Sequence, residues 1–206
     1  TNGGTTWTLI PNQPPADSVN VETGVTNGMD LTGTIAWFVT YGTGSHPRVF
    51  KSTDKGLTWT PSPRIAVDDS YGFSMKDQSS GIMCNINSCS IARTTDGWAH
   101  ADSILLFNGT YGLRSINWIR GTNAIVVVGG PTATGFSGVS TDGGTTWTQK
   151  TVPAGVGRLR QVSFVNASTG WAVRNTGAIL KWTGGAVVGV GNEPLAVPSE
   201  YALSQN

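Results

Sequence analysis

The chain is a succession of short apolar segments closed by glycine, asparagine, aspartate, serine or threonine. Residues 115–119 (Ser-Ile-Asn-Trp-Ile) and 161–165 (Gln-Val-Ser-Phe-Val) alternate polar and apolar positions, the period of a strand with one packed face. Residues 124–128 (Ala-Ile-Val-Val-Val) form a continuous apolar run of strand length, far too short to span a bilayer. Long amphipathic stretches with helical spacing are absent, so the pattern predicts almost no helix. The segments recur in a fixed order. The strand at 161–165 meets an Asn166-Ala167-Ser168-Thr169-Gly170 turn, a second strand follows through Val173, and a third spans 177–182. The same order runs through 115–119, 124–128, 138–140 and 145–149. Units of four short strands, each of roughly 40–50 residues, make an all-β repeat architecture.

A second repeat marks the turn before each fourth strand. Ser52-Thr53-Asp54-Lys55-Gly56-Leu57-Thr58-Trp59 and Ser140-Thr141-Asp142-Gly143-Gly144-Thr145-Thr146-Trp147 both fit Ser-x-Asp-x-Gly-x-Thr-Trp. The chain opens inside another copy, with Asn2 in the aspartate position and Trp7 in the tryptophan position. Thr94-Thr95-Asp96-Gly97-Trp98 is a degraded copy and residues 181–185 a remnant. In this motif the aspartate accepts backbone N–H groups and closes a turn. Glycine supplies a conformation that a Cβ resists, and Thr-Trp begins the next strand with its indole buried under the hairpin. Asp54, Gly56, Trp59, Asp96, Trp98, Asp142, Gly144 and Trp147 are therefore expected to be structural, with the box tryptophans 39 and 49 residues apart.

These boxes resemble the Asp-box (BNR) repeats of sialidase-like and photosystem-assembly-factor-like β-propellers. The resemblance implies four-stranded blades with Asp-box hairpins over residues 1–185, about four of them. They run over about 25–66, 67–111, 112–156 and 157–185, the last lacking its fourth strand. Two arrangements fit: a small ring closed by a strand at residues 5–10, or a fragment of a larger propeller.

Composition agrees with many tight turns: 28 Gly, 10 Pro and only 12% charged residues, about half the usual share. The net charge is +1 and there is no basic run, so nucleic acid and anionic membrane are poor partners. No signal peptide is expected within this sequence, and an exported protein would have had its leader removed or carry it outside this chain; no transmembrane segment is expected. The two cysteines lie in Cys84-Asn85-Ile86-Asn87-Ser88-Cys89. A hairpin there is expected to bring them into disulfide range, which would mean an oxidising compartment. His46 and His100 lack metal-ligand spacing, and no metal or cofactor is expected.

Residues 186–206 change character, and Pro198-Ser199-Glu200-Tyr201-Ala202-Leu203-Ser204-Gln205-Asn206 resembles the stretch that leads into the C-terminal sorting domains of type IX secretion cargo. That resemblance implies a linker toward a sorting domain and a bacterial protein located outside the cell or on its outer surface. It also implies possible O-glycosylation, for which Ser18 and Ser103, each after aspartate and before an apolar residue, fit the acceptor pattern.

In a propeller, ligands gather where the loops leading into the innermost strands converge. Those connections carry Asp30, Asp68, Asp69, Tyr71, Arg114, Arg158 and Arg160. The sialidase resemblance implies an arginine trio for a substrate carboxylate, a tyrosine paired with glutamate, and an aspartate acid/base. The sequence departs from that set. It has no Arg-Ile-Pro segment near its start, and its glutamates are Glu22, Glu193 and Glu200, none placed to activate Tyr71. Asp68, Asp69 and Tyr71 are the candidates for chemistry, and Asp30, Arg114, Arg158 and Arg160 for a ligand-binding rim. Most of the eight tryptophans belong to boxes or strand patterns, and so to the core. The expectation is a non-catalytic extracellular binding or structural propeller that meets a protein or carbohydrate at the cell surface. The alternatives are a sialidase-like glycoside hydrolase domain and a protein-assembly factor.

Overall fold

The computed structural model describes residues 6–15, 17, 22–42, 45–67, 69–107, 109–174 and 176–187. It is all-β, with four antiparallel sheets of consecutive strands. Blade 1 holds β1 (Thr23–Thr32), β2 (Ile35–Gly42), β3 (Ser45–Ser52) and β4 (Thr60–Pro61). Blade 2 holds β5 (Ser70–Met75), β6 (Gly81–Asn85), β7 (Ser90–Thr94) and β8 (Asp102–Leu105). Blade 3 holds β9 (Leu113–Trp118), β10 (Ile125–Gly129), β11 (Phe136–Ser140) and β12 (Thr148–Lys150). Blade 4 holds β13 (Leu159–Asn166), β14 (Thr169–Arg174) and β15 (Ile179–Lys181). Residues 6–10 carry no strand and Trp7 is exposed, so among the described residues blade 4 has three strands.

The first strand of each blade is innermost, and β1 packs on β5, β5 on β9, and β9 on β13. Second strands are sandwiched between blades. All five residues of β6 and of β10 are buried, because alternate side chains enter different inter-blade cores. Ile125 and Val127 join the cluster shared with blade 2, and Val126 and Val128 the one shared with blade 4. A polar device stitches the inner strands together. The amide of Met75 donates to Asp30 Oδ2 (2.7 Å), that of Trp118 to Ser74 Oγ (3.0 Å), and that of Phe164 to Asn117 Oδ1 (2.8 Å). Each stitch gives a buried N–H facing the channel the acceptor it requires.

The box hairpins hold the third and fourth strands. In blade 1, Ser52 Oγ donates to Asp54 Oδ1 (2.8 Å) and accepts the Gly56 amide (2.8 Å). The amide and hydroxyl of Thr58 both donate to the Asp54 carboxylate (2.9 and 2.6 Å). Blade 3 repeats the set with Ser140, Asp142, Gly144 and Thr146. Trp59 and Trp147 each donate Nε1 to the carbonyl of the box glycine, at 3.1 Å. Hydrogen bonds from Thr58 hold the Asp54 carboxyl down at about 2. In blade 2, those from His100 do the same for Asp96. Burial raises Asp142, but the bonds from Thr146, Ser140 and Thr145 outweigh it and leave it at about 2.

These folded-state values lie below the ordinary aspartate value of 3.8. Their stabilisation is therefore complete above that value and is lost as pH falls from about 4 toward 2. The melting temperature is expected to be flat above pH 5 and to drop across that window. Asp142→Asn should show a shallower drop, and equal slopes for variant and wild type would remove Asp142 from the account.

Blade 2 corrects the expected box. Thr94 Oγ1 donates to Asp96 Oδ1 (2.8 Å) and accepts from the amides of Asp96 (3.2 Å) and, four residues on, of Trp98 (3.0 Å). Trp98 therefore stands where Gly56 and Gly144 stand, not in the place of Trp59 and Trp147, which Ala101 occupies. Its φ is 73°, beside 88° at Gly56 and 87° at Gly144. The indole is 1% exposed, 5.7 Å from Phe73, and donates Nε1 to Met75 Sδ at 3.1 Å. This displacement widens the inequality of the tryptophan spacing, 39 and 49 residues, beyond that of the corresponding box aspartates, which are 42 and 46 residues apart.

Cys84 and Cys89 are free thiols, contrary to the expected disulfide. The hairpin register sets Cys84 opposite Ile91, so Cys89 is a diagonal neighbour two positions away. Diagonal Cα atoms sit about 7–8 Å apart, beyond the roughly 4.4–6.8 Å that a disulfide spans. Both join the core between blades 2 and 3. Burial pushes their thiols up to about 12 and about 11, so they behave as small apolar groups. They give no support for an oxidising compartment.

Candidate functional site

The four inner strands all run in one direction along the channel, so their first residues share one rim. Tyr71, Arg114 and Arg160 hold the same position in β5, β9 and β13, as the stitches through Ser74, Asn117 and Phe164 show. The Arg114 guanidinium lies over the Tyr71 ring at 5.5 Å. Burial lowers the pKa of Arg114 from its ordinary value, and the neighbouring positive charges of Arg158 and Arg160 lower it further. Its Nε is buried without a hydrogen-bond partner. Arg158 Nε donates to the Gly130 carbonyl at 2.7 Å, which aims its two terminal nitrogens away from that contact. Among the described residues none of the three arginines is paired with a carboxylate. Three guanidinium groups gathered with no carboxylate partner among the described residues make a site in which an anion relieves mutual repulsion and satisfies fixed donors.

The other expected rim residues are distributed differently. Asp69 accepts from Asn87 Nδ2 at 2.8 Å, beside Tyr71, and Asp68 lies outside the described residues. Asp30 belongs to the far end of the channel, not to this rim. Besides the Met75 amide, it accepts from Arg120 Nη2 at 3.1 Å, a residue that follows the end of β9. The sequence places Asp30 in a connection, whereas the structure puts it inside β1 near that strand's end. Sequence reasoning also missed Glu22, which is buried on blade 1 in an ion pair with Arg48 and accepts from Thr40 Oγ1 at 2.5 Å. Burial alone would raise Glu22, but the hydrogen bonds from Arg48 and Thr40 outweigh it and lower the carboxyl to about 2. Its oxygens are thereby committed to blade 1.

Two cavities accompany the rim without including its arginines. A polar one of about 210 Å³ lies in the channel, lined by residues of all four inner strands, Asn27, Ser74, Asn117 and Gln161 among them. A larger apolar one of about 420 Å³ lies between blades 3 and 4, against Val126, Val128, Leu159, Leu180 and Trp182. It opens beside β15, which has no outer neighbour among the described residues. Ser103 is exposed, on the outermost strand of blade 2 instead of in a loop. Ser18 and residues 188–206, with the secretion-like tail, lie outside the described residues. Among the described residues no helix is long and apolar enough to cross a membrane, and no cluster of potential metal ligands occurs.

Solved structures similar to the chain share this arrangement of blades. One is a protein of unknown function from Dyadobacter fermentans, with TM-score 0.61 and 16% identity, covering 84% of this chain and 57% of that one. Another is YCF48 from Cyanidioschyzon merolae, with TM-score 0.58 and 18% identity, covering 82% and 55%. A third is an ancestral GH74 enzyme, with TM-score 0.57 and 17% identity, covering 80% and 24%. The fold is a β-propeller. The chain spans about a quarter to a little over half of the length of these proteins. No family model matches the propeller, and no curated protein matches it in sequence.

Proposed function

We propose that this propeller is a non-catalytic binding module of a secreted or cell-surface bacterial protein. Its rim takes an acidic group of a protein or carbohydrate partner between Arg114, Arg158 and Arg160. One observation carries the reading: three arginines converge without a carboxylate partner among the described residues, one with a buried, unpartnered Nε. A carboxylate or sulfate seated there supplies the missing acceptors, and a guanidinium fork fits two oxygens of one group. Binding is favoured over hydrolysis because two of the candidate catalytic groups, Asp69 and Tyr71, are held in structural contacts. Asp69 is bonded to Asn87, Tyr71 lies under Arg114, and Glu22 is paired with Arg48. The extracellular setting rests on the tail's resemblance to type IX cargo.

Calorimetric titration with an acidic peptide and with a sulfated oligosaccharide tests this reading. Arg114→Ala and Arg160→Ala should each weaken binding about tenfold or more, the usual worth of a hydrogen bond to a charged group. Added salt should weaken binding by the wild type. Equal affinity in variants and wild type would sink the proposal.

A further inference from the structure

A net charge of +1 conceals a division within the chain. Residues 1–111 carry six lysines and arginines against nine carboxylates. Residues 112–187, which hold blades 3 and 4, carry seven against a single carboxylate, that of Asp142. That group is bonded into the box after β11, and β11 begins at the rim with Phe136, in register with Gly129 and Leu113. Asp142 therefore lies at the far end of its blade, and blades 3 and 4 contribute no carboxylate to the rim.

Five of the seven cations of this half are at that rim. Three are Arg114, Arg158 and Arg160. Arg174 pairs in register with Leu159, between Arg158 and Arg160, and donates Nη1 to Gly155 O at 2.9 Å. Lys150 is exposed and shares a row with Ser115, through Val128 and Ser137. Three strand spacings, about 14 Å, separate the two ends of that row. The positive charge thus runs from the channel mouth at Arg114 to the outer edge of blade 3, along the seam where blade 4 packs on blade 3. Arg158 is tied to the Gly130 carbonyl and Arg174 to that of Gly155, so backbone contacts fix both guanidinium groups in place. Among the described residues none of the five makes an ion pair. Like charges held this close repel one another, and a polyanion relieves that repulsion at several points at once.

We propose that this basic seam binds an anionic polysaccharide, with sulfate or uronate groups on Arg114, Arg158 and Arg160 at the channel mouth and on Arg174 and Lys150 further out. The inference rests on the anion site proposed above and extends it from one acidic group to a chain of them. A polysaccharide fits better than an acidic peptide. The seam offers repeated charge and fixed donors, whereas peptide recognition also draws on pockets for side chains, and neither described cavity is lined by an arginine. It fits better than a nucleic acid as well, because base stacking needs open aromatic faces, and the face of Tyr71 is covered by Arg114.

Calorimetric titration of the 206-residue chain with a heparin disaccharide and a heparin octasaccharide tests the proposal. The octasaccharide is expected to bind ~10-fold or more tightly than the disaccharide, because it engages the outer cations while held at the mouth. Lys150→Gln combined with Arg174→Gln should lower octasaccharide affinity about tenfold, the worth of two exposed ion pairs, and leave disaccharide affinity unchanged. Lys150→Gln alone, at an exposed position, should cost about threefold and serves if the double variant does not fold. Lys55→Gln, on blade 1, should change neither affinity. Disaccharide binding that Arg114→Ala weakens, with no gain from a longer chain, overturns the extended seam and leaves the anion site standing. Disaccharide affinity untouched by Arg114→Ala overturns both. The seam is also overturned by an octasaccharide that binds the double variant as tightly as the wild type. So it is by duplex DNA or polyglutamate of matched charge binding as tightly as the octasaccharide.

Discussion

Replacing Trp98 with alanine is expected to lower the stability of the propeller by about 4 kcal/mol. The indole is 1% exposed and belongs to the core between blades 1 and 2, with Trp37, Phe73, Met75 and Met83. Its removal takes away one of the two tryptophans of that core and strands the sulfur contact with Met75. The backbone pulls the other way. At φ 73° the residue sits in the left-handed region where a Cβ is disfavoured. Trp98→Gly is therefore expected to be milder than Trp98→Ala by up to about 1 kcal/mol, although it removes more atoms. Urea unfolding of both variants and the wild type decides the matter. If glycine proves the worse substitution, the backbone at this position is not strained, and the box in blade 2 closes differently.

Gly112→Ala should cost about 3 kcal/mol or more, because overpacking here cannot be relieved by a side-chain rotation. A Cβ at Gly112 would overlap the carbonyl group of Ile86, which is backbone in the hairpin of blade 2. The Gly112 carbonyl is meanwhile tied to the Gly130 amide at 3.1 Å. Either the blade 2 hairpin or the start of β9 must move, and Arg114 lies two residues on. The variant is expected to bind the acidic probe more weakly, as well as to unfold at lower urea. Gly155→Ala is the control, since a Cβ there meets nothing within 4 Å at φ 77°, and it should cost only about 1 kcal/mol. Similar costs for the two variants would show that the crossing at Ile86 is looser than described.

Much of the fold is legible in the sequence because short strands write their burial directly into alternation, and because a repeat states its rule more than once. At Asp54 and Asp142 the aspartate accepts backbone amides, as the motif suggests, while the hydrogen bonds from the Thr58 and Thr146 hydroxyls appear only in the structure. Blade 2 misleads because a tryptophan takes a glycine's conformational role, a substitution that only backbone geometry reveals. The disulfide expectation fails on register: residue spacing does not say whether two cysteines in a hairpin are opposite or diagonal. The arginine trio is legible as a list of rim residues, but its lack of a carboxylate partner among the described residues is not, since that depends on where those carboxylates fold. Asp30 illustrates the point. It lies in β1, and only the direction of that strand puts it at the far end of the channel from Arg114.

The stitches between inner strands bear on how such a protein can change over evolutionary time. Each requires one short side chain with an oxygen acceptor, and aspartate, serine and asparagine all serve. Its partner is a backbone amide, which every residue except proline supplies. An in-frame duplication of one blade would carry both halves of the stitch and meet neighbours already suited to it. Neighbour-only contacts of this kind let repeat number drift while the chemistry of each joint stays fixed. Propellers built on this rule can therefore gain or lose blades by recombination alone, and selection then acts on the diameter of the channel and on which side chains reach its rim.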